Sequence, residues 1–328
     1  MDHKILALGG DGIGPEVLDF GLRLIYKIQD IFGINIKIEH DLIGGACWDK
    51  FQVFCKNETV EKAKNSDAIL VGAVGGPKWD NIKIKGTPEE QDGLMRLRKE
   101  LDAYLGIRPA KVYPALSNSS PLKKEILENV DFIIIRELTS GLYFGEPKKR
   151  WIENDKRYAV DTLTYNEDEV RRVVKVGFEM AMKRNRKLHS LDKMNVMASS
   201  RLWREIADEV SKDYPEVELI HMLADNAAMQ IITNPSEFDV LVTENTFGDI
   251  LSDEAAVIGG SMGMLPSASL SSIPGQINTD SKPALYEPIH GSAPDIAGQG
   301  VANPIASILS TSMTVSYTHL TLPTIAEV

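Results

Sequence analysis

Cysteine is scarce in this sequence: Cys47 and Cys55 are the only two in 328 residues. Two thiols in a chain of this size do not suggest a disulfide framework, and a reducing cytosol fits best. Neither a signal-peptide h-region nor an apolar run of transmembrane length is present, so a cytoplasmic protein with no membrane partner is expected. Clusters of Lys and Arg are missing too, and the formal net charge is -11. Nucleic acid is therefore not an expected partner, because counterion release needs a basic surface. Any anionic ligand must meet positive charge gathered locally. There is no internal repeat and no low-complexity linker. What remains is an ordinary globular composition, 43% hydrophobic and 25% charged, in a chain long enough for about two domains.

Short apolar runs alternate with helical patterns. Strands are expected at residues 4–8, 34–41, 68–73, 132–136, 187–192, 217–222 and 238–243, and helices at 15–31, 58–64, 167–184, 200–212 and 247–258. That rhythm predicts an α/β fold with a largely parallel sheet. The segment 141–163 breaks it with Tyr, Phe, Trp, Pro and many charges, and reads as a projecting arm for subunit contact. A last helix is expected after Asn303-Pro304, running to Met313. Beyond it, Val315-Ser-Tyr-Thr-His-Leu-Thr-Leu-Pro-Thr324 turns to β-branched residues and Pro323, which would end a helix. These residues resemble the conceptual translation of a sequencing-library adapter, so 315–328 is read as a non-native tail and His319 is set aside as a site residue.

The chemistry centres on Asn245-Thr-Phe-Gly-Asp-Ile-Leu-Ser-Asp-Glu254, where Asp249 and Asp253 stand four residues apart, on one face of a helix. They read as half of a divalent-metal site; an acidic pair at this spacing more often only solvates a helix face. Three arginines shift the balance: Arg98, Arg108 and Arg136 lie on separate elements, the last at the end of the apolar run 132–135. A single buried arginine is most simply an internal ion pair, here with Glu137 or a neighbour. Three together read better as carboxylate clamps, each bidentate contact contributing about 1.5–3 kcal/mol.

Five ordered motifs carry a resemblance: Leu8-Gly-Gly-Asp-Gly-Ile-Gly-Pro-Glu-Val17, Gly72-Ala-Val-Gly-Gly-Pro-Lys-Trp-Asp80, Arg136-Glu-Leu-Thr-Ser-Gly-Leu-Tyr-Phe-Gly-Glu146, Phe247-Gly-Asp-Ile-Leu-Ser-Asp253 and Glu287-Pro-Ile-His-Gly-Ser-Ala-Pro-Asp-Ile-Ala-Gly298. Together they resemble the β-decarboxylating isocitrate/isopropylmalate dehydrogenase family, from the first strand to about Met313. The resemblance implies a two-domain fold with a parallel or mixed sheet flanked by helices. It divides the chain into a discontinuous cofactor domain, 1–103 with 261–314, and a substrate and dimerisation domain, 104–260. It also implies NAD-dependent oxidation of a 2-hydroxy acid at C2, followed by loss of the β-carboxylate as CO2. Hard oxygen ligands suit Mg2+ or Mn2+, and the family's metal aspartates match Asp249, Asp253 and, from the partner subunit of a homodimer, Asp225. Lys193 matches the lysine that takes the hydroxyl proton, likewise lent across the dimer. Tyr143 matches the tyrosine that protonates the enol carbon. Read alone, a lysine is usually a solvated charge and a tyrosine usually packing.

Gly9-Gly-Asp-Gly-Ile-Gly14 follows a strand but does not satisfy G-x-G-x-x-G, so a Rossmann fold is not expected. The resemblance instead places adenosine on His290, Gly291, Ser292, Ala293, Asp295 and Ile296, with Ile13 and Asn303 nearby. Asp295 can accept from a ribose 2′-OH and would repel a 2′-phosphate, which selects NAD; read without the family, the Ala-Pro-Asp turn would simply cap a helix. Asn195 is also expected at the substrate, and Leu94, Met95 and, from the other subunit, Val196 would face the group at substrate C3. Their apolar side chains favour the isopropyl group of 3-isopropylmalate, oxidised to 4-methyl-2-oxopentanoate in leucine biosynthesis. Tartrate, D-malate or homoisocitrate oxidation is the enzymatic alternative, and a catalytically silent subunit of a hetero-oligomer the non-enzymatic one. Family members continue with further C-terminal helices, so a chain ending here is expected to be less stable than a longer parent.

Overall fold

In the computed structural model, residues 2–82, 92–274 and 283–317 are described. The chain divides into two compact units, Met1–Ala103 with Ser261–Val328, and Tyr104–Gly260.

The first unit opens with β1 (Asp2–Gly10), α1 (Gly14–Phe32), β2 (Asn35–Asp41), α2 (Gly45–Phe51), α3 (Asn57–Lys64), β3 (Ala68–Ala73) and α4 (Gly93–Glu100). Pro15 starts α1 with its preset φ, and Gly33 ends it in the left-handed conformation at φ 63°, its N–H donating to Gln29 O. Val17, Leu18, Leu22 and Ile25 form its buried stripe. Every residue of β3 is buried, as a continuous apolar run in a parallel sheet requires. Asp92 caps α4 by accepting from the backbone N–H groups of Leu94 and Met95.

The second unit runs through β4 (Leu105–Lys111), β5 (Asp131–Glu137), β6 (Lys149–Glu153), β7 (Lys156–Val160), α5 (Glu167–Met182), β8 (Lys187–Asp192), α6 (Ala198–Ser211), β9 (Glu218–Leu223), α7 (Ala224–Thr233), β10 (Val240–Thr243) and α8 (Asn245–Ile258). Its strands lie in the order β4-β5-β10-β8-β9, all parallel except the antiparallel β4–β5 pair. Phe132, Ile134, Leu191 and Leu241 anchor its core beside α8, each contributing about 1.5–3 kcal/mol by burial. β6 and β7 form a separate exposed hairpin, turned by Asn154 and Asp155 at φ 49° and 56° and faced by the stacked pair Trp151–Tyr158.

The chain then returns to the first unit with β11 (Pro266–Leu270), β12 (Ala284–Pro288) and α9 (Ile305–Tyr317). The strand order there is β2-β1-β3-β12-β11, with only β11 antiparallel. The mostly parallel order with its antiparallel β4–β5 and β11–β12 pairs bears out the expected α/β class with a mixed sheet.

Several elements escaped the sequence reading. β4, β11, β12, α2, α4 and α7 were not anticipated, the strand expected at 238–243 begins only at Val240, after a single 3-10 turn at Pro235–Glu237, and the helix expected at 167–184 stops at Met182. α9 continues past Met313 to Tyr317, where the composition had suggested a stop; the rest of the tail, and residues 83–91, lie outside the described residues. Among the described residues no helix is long and apolar enough to cross a membrane.

Candidate active site

The second unit gathers a cationic and acidic constellation around α8. Its first turn is capped by Glu244, whose carboxylate accepts from Phe247 N at 2.7 Å. One turn on, Asp249 and Asp253 project from the same face, as their spacing requires. The Arg136 guanidinium, at the end of β5, donates through Nη1 to Asp249 Oδ1. Arg108, on the neighbouring β4, places Nη1 3.6 Å from Asp249 Oδ1 and 3.8 Å from Asp253 Oδ1, and also donates to Ser252 Oγ. Tyr143 donates its hydroxyl to the other oxygen of Asp249 at 2.9 Å. Burial, with Asp249 beside it, pushes the Tyr143 hydroxyl up to about 12, so it stays protonated and available as a proton donor. Burial also raises the Asp253 carboxyl, with Arg108 opposing and Asp249 reinforcing the shift.

Arg136 and Arg108 are 3% and 8% exposed. Buried guanidinium groups need anionic partners, and here those partners are the expected metal acids rather than Glu137. Glu137 is engaged elsewhere: it accepts from the backbone N–H groups of Thr139 and Ser140 and from the Tyr165 hydroxyl at 3.2 Å. Glu244 lies 3.5 Å from the same hydroxyl, and burial pushes up the carboxyls of Glu137 and Glu244 and the phenol between them.

Lys193 follows β8 and Asp225 opens α7; they pair at 2.6 Å, and this contact holds the Asp225 carboxyl below its ordinary value. Among the described residues of one chain, no three His, Cys, Asp or Glu side chains converge as a metal site, so Asp225 does not join Asp249 and Asp253 within a single copy. Asn195 and Val196 are exposed.

The first unit carries the other expected residues. Leu94, Met95 and Arg98 lie on α4, where Arg98 pairs with Glu287 of β12, the internal ion pair that a lone arginine suggested. The turn 9–14 and the loop 290–296 touch through backbone: Ile13 N donates to Ser292 O at 2.8 Å. A Cβ on Gly12, whose φ is +55°, would stand 2.0 Å from that oxygen, so glycine here serves close approach of two chain segments. Ser292 Oγ donates to Gly75 O at 2.7 Å. Asp295 is exposed, Gly291 is open, and Ala293 sits at a strained φ of 38°; Ile296 N closes a turn onto Ala293 O. Asn303 Oδ1 caps α9 through Ile305 N. His290 Nδ1 is bonded to Gly291 O, whereas the buried Nε2 has no partner within the described residues. An unpartnered ring nitrogen and an exposed carboxylate on one loop are polar groups of the kind a nucleoside-binding loop needs.

Sequence reasoning passed over three residues of these sites. Asn245 stands at the head of the α8 motif and holds Arg136; Ser252 touches Arg108; Asp11, inside the glycine-rich turn, accepts from Gly45 N, Ala46 N and Gly75 N at 2.7–2.8 Å. The Gly-Gly steps at 44–45 and 75–76 were the one signal for Asp11, since backbone amides without side chains can crowd a single carboxylate. These glycines also line a cleft of about 260 Å³ with Val74, Trp79 and Asp80.

The chain is similar to known proteins over nearly its whole length. The isocitrate/isopropylmalate dehydrogenase family model matches residues 4–326, past the point near Met313 where the motif resemblance ended. A protein of Aquifex aeolicus named 3-isopropylmalate dehydrogenase is 55% identical over 315 residues, covering 96% of this chain and 84% of the relative. A Bacillus subtilis protein of the same name is 54% identical, with 95% and 83% covered. Among solved structures, isocitrate dehydrogenase from Methylococcus capsulatus superposes with a TM-score of 0.80 at 30% identity, covering 95% of this chain and 85% of that one. A β-decarboxylating dehydrogenase of Thermococcus kodakarensis gives 0.71 at 31% identity, with 96% and 83% covered. With the paired aspartates, the arginines and the tyrosine in place, and a match over nearly its whole length, the chain belongs to the isocitrate/isopropylmalate dehydrogenase family.

Proposed function

We propose that this dehydrogenase oxidatively decarboxylates 3-isopropylmalate to 4-methyl-2-oxopentanoate and CO2 with NAD, as a homodimer in leucine biosynthesis. The observation that carries the reading is the convergence of Arg108, Arg136 and Tyr143 on the Asp249–Asp253 face of α8. Two adjacent carboxylates offer hard oxygen donors suited to Mg2+ or Mn2+; Asp225 of a second copy completes the set. His290 Nε2 and the exposed Asp295 fit an adenosine and its ribose hydroxyls. When bound, NAD takes up the C2 hydride and the divalent cation polarises the C2 oxygen.

The chain's own groups do the rest. Arg98, Arg108 and Arg136 bind the malate carboxylates, and fixing them aligns the C2–H bond for transfer. Lys193, from the second copy, takes the proton of the C2 hydroxyl as the hydride leaves. The C3–carboxylate bond then breaks, its electron pair passes to the C2 oxygen as the enolate, and Tyr143 delivers a proton to C3. Leu94 and Met95, with Val196 of a second copy, supply an apolar wall for the isopropyl branch, worth about 0.8 kcal/mol per CH2 buried. The arm at 141–163, with its hairpin β6–β7, serves subunit contact.

The test is NADH formation from 3-isopropylmalate with Mg2+ or Mn2+, with and without a chelator, alongside D-malate and isocitrate. Turnover of isopropylmalate that the chelator abolishes is expected. Faster turnover of isocitrate or D-malate would reassign the substrate, and no turnover of any of the three would favour a silent subunit.

A further inference from the structure

Arg136 is held by more than the acid it points at. Asn245 is 1% exposed, and its Oδ1 accepts from Arg136 Nε at 3.0 Å and from Nη2 at 2.7 Å. The amide cannot turn over: its Nδ2 donates to Ser140 O at 3.0 Å, and a flip would set an NH2 against two guanidinium donors. The backbone is tied as well, because Asn245 N donates to the Tyr165 hydroxyl at 3.0 Å, which in turn bonds Glu137. Gly248 completes the cradle. A Cβ there would meet Arg136 Cγ at 2.6 Å, so the arginine stem lies directly on the helix backbone. Two of the guanidinium nitrogens thus face a fixed, uncharged acceptor, and Nη1 is turned toward Asp249.

The charge of that acceptor matters. A carboxylate in the same place would hold the guanidinium equally well but would neutralise it, weakening its attraction for an incoming anion. An amide orients without neutralising. We propose that Asn245 is the positioning residue that orients Arg136 for the substrate carboxylate through an uncharged acceptor, adding no carboxylate to the one that Asp249 already sets against the guanidinium. This rests on the isopropylmalate reading above.

The experiment compares wild type, Asn245→Asp and Asn245→Ser for KM of isopropylmalate, KM of NAD and kcat, with melting curves as a folding control. Calorimetric titration of isopropylmalate into each protein, with Mg2+ and without NAD, gives the same comparison free of turnover. Asn245→Asp is expected to raise the isopropylmalate KM and Kd about tenfold, equivalent to about 1.4 kcal/mol, with the NAD KM unchanged. Asn245→Ser, which adds no charge and reads the loss of orientation should the aspartate fail to fold, is expected to give a smaller rise of the same selectivity. Equal isopropylmalate binding in wild type and both variants, or KM values for both substrates rising together, overturns the proposal. A wild-type protein that binds isopropylmalate but does not turn it over refutes the functional reading and leaves the binding comparison to decide the role of Asn245.

Discussion

Gly12 gives the sharpest test of how the first unit is built. Replacing it with alanine imposes two penalties at one atom. The residue sits at φ +55°, where an L side chain costs about 1–2 kcal/mol. Its new Cβ would lie 2.0 Å from Ser292 O, whereas ordinary contacts begin at 3.4 Å. The turn and the loop 290–296 must therefore part, breaking the 2.8 Å bond from Ile13 N to Ser292 O, a loss of about 1 kcal/mol. A total near 2–3 kcal/mol corresponds to a fall of about 5–10 °C in melting temperature for a unit of this size. Because the displaced segment carries His290 and Asp295, the KM for NAD should rise while that for isopropylmalate holds. Differential scanning fluorimetry and initial-rate kinetics on Gly12→Ala measure both. A melting shift within experimental error together with an unaltered NAD KM would refute the reasoning that this glycine exists for backbone contact.

Three further outcomes follow from the second unit. Tyr143→Phe removes the group proposed to protonate C3 and should lower kcat by about 10²–10⁴-fold with little change in melting temperature; full activity in the variant would remove Tyr143 from the chemistry. His189 is buried against Phe238, and burial holds its imidazole down from 6.5 to about 4. The unfolded chain therefore takes up a proton below about pH 6.5 that the folded chain refuses until about pH 4, so stability falls with pH across that window and is unaffected above it. In His189→Leu the urea midpoint should lose this component of its acid dependence, and parallel pH profiles for the two proteins would contradict the assignment. Asp239, 2% exposed, accepts from Arg184 Nε at 2.7 Å and Asn185 N at 2.8 Å, while Arg184 Nη2 also donates to Asp131 Oδ1 at 2.8 Å; Asp239→Ala should cost about 3–5 kcal/mol by urea unfolding, and a loss below about 1 kcal/mol would show that Asp131 alone satisfies Arg184.

Legibility in the sequence tracked how far each signal was local. The strand at Ala68–Ala73 could be read directly, since six successive buried positions leave an unbroken apolar run. β4 could not: Leu-Gly-Ile-Arg-Pro-Ala-Lys hides a strand behind a glycine, an arginine and a proline, and only its antiparallel pairing with β5 makes that composition workable. The Asp249–Asp253 pair was visible because helical spacing alone puts both acids on one face. That Arg136 would face them rather than Glu137 was not visible, for the choice is made by β5 packing beside α8 across 113 residues. Asn245 stood in plain view at the head of the quoted motif, yet nothing local distinguishes a helix-start asparagine from one whose side chain serves a distant arginine. Asp225 pairs with Lys193 within one copy, and the sequence had offered it a role only through resemblance.

The carboxylate of Asp11 joins residues 11, 45–46 and 75 through three backbone amides. Stretches of chain remote in sequence thereby share one fastener, and none can loosen without stranding a buried acid that the others still solvate. Opening of this corner should be concerted: in deuterium exchange the amides of Gly45, Ala46 and Gly75 would report a single protection free energy, although the rest of α2, all of α3 and the strand β3 lie between Ala46 and Gly75 along the chain.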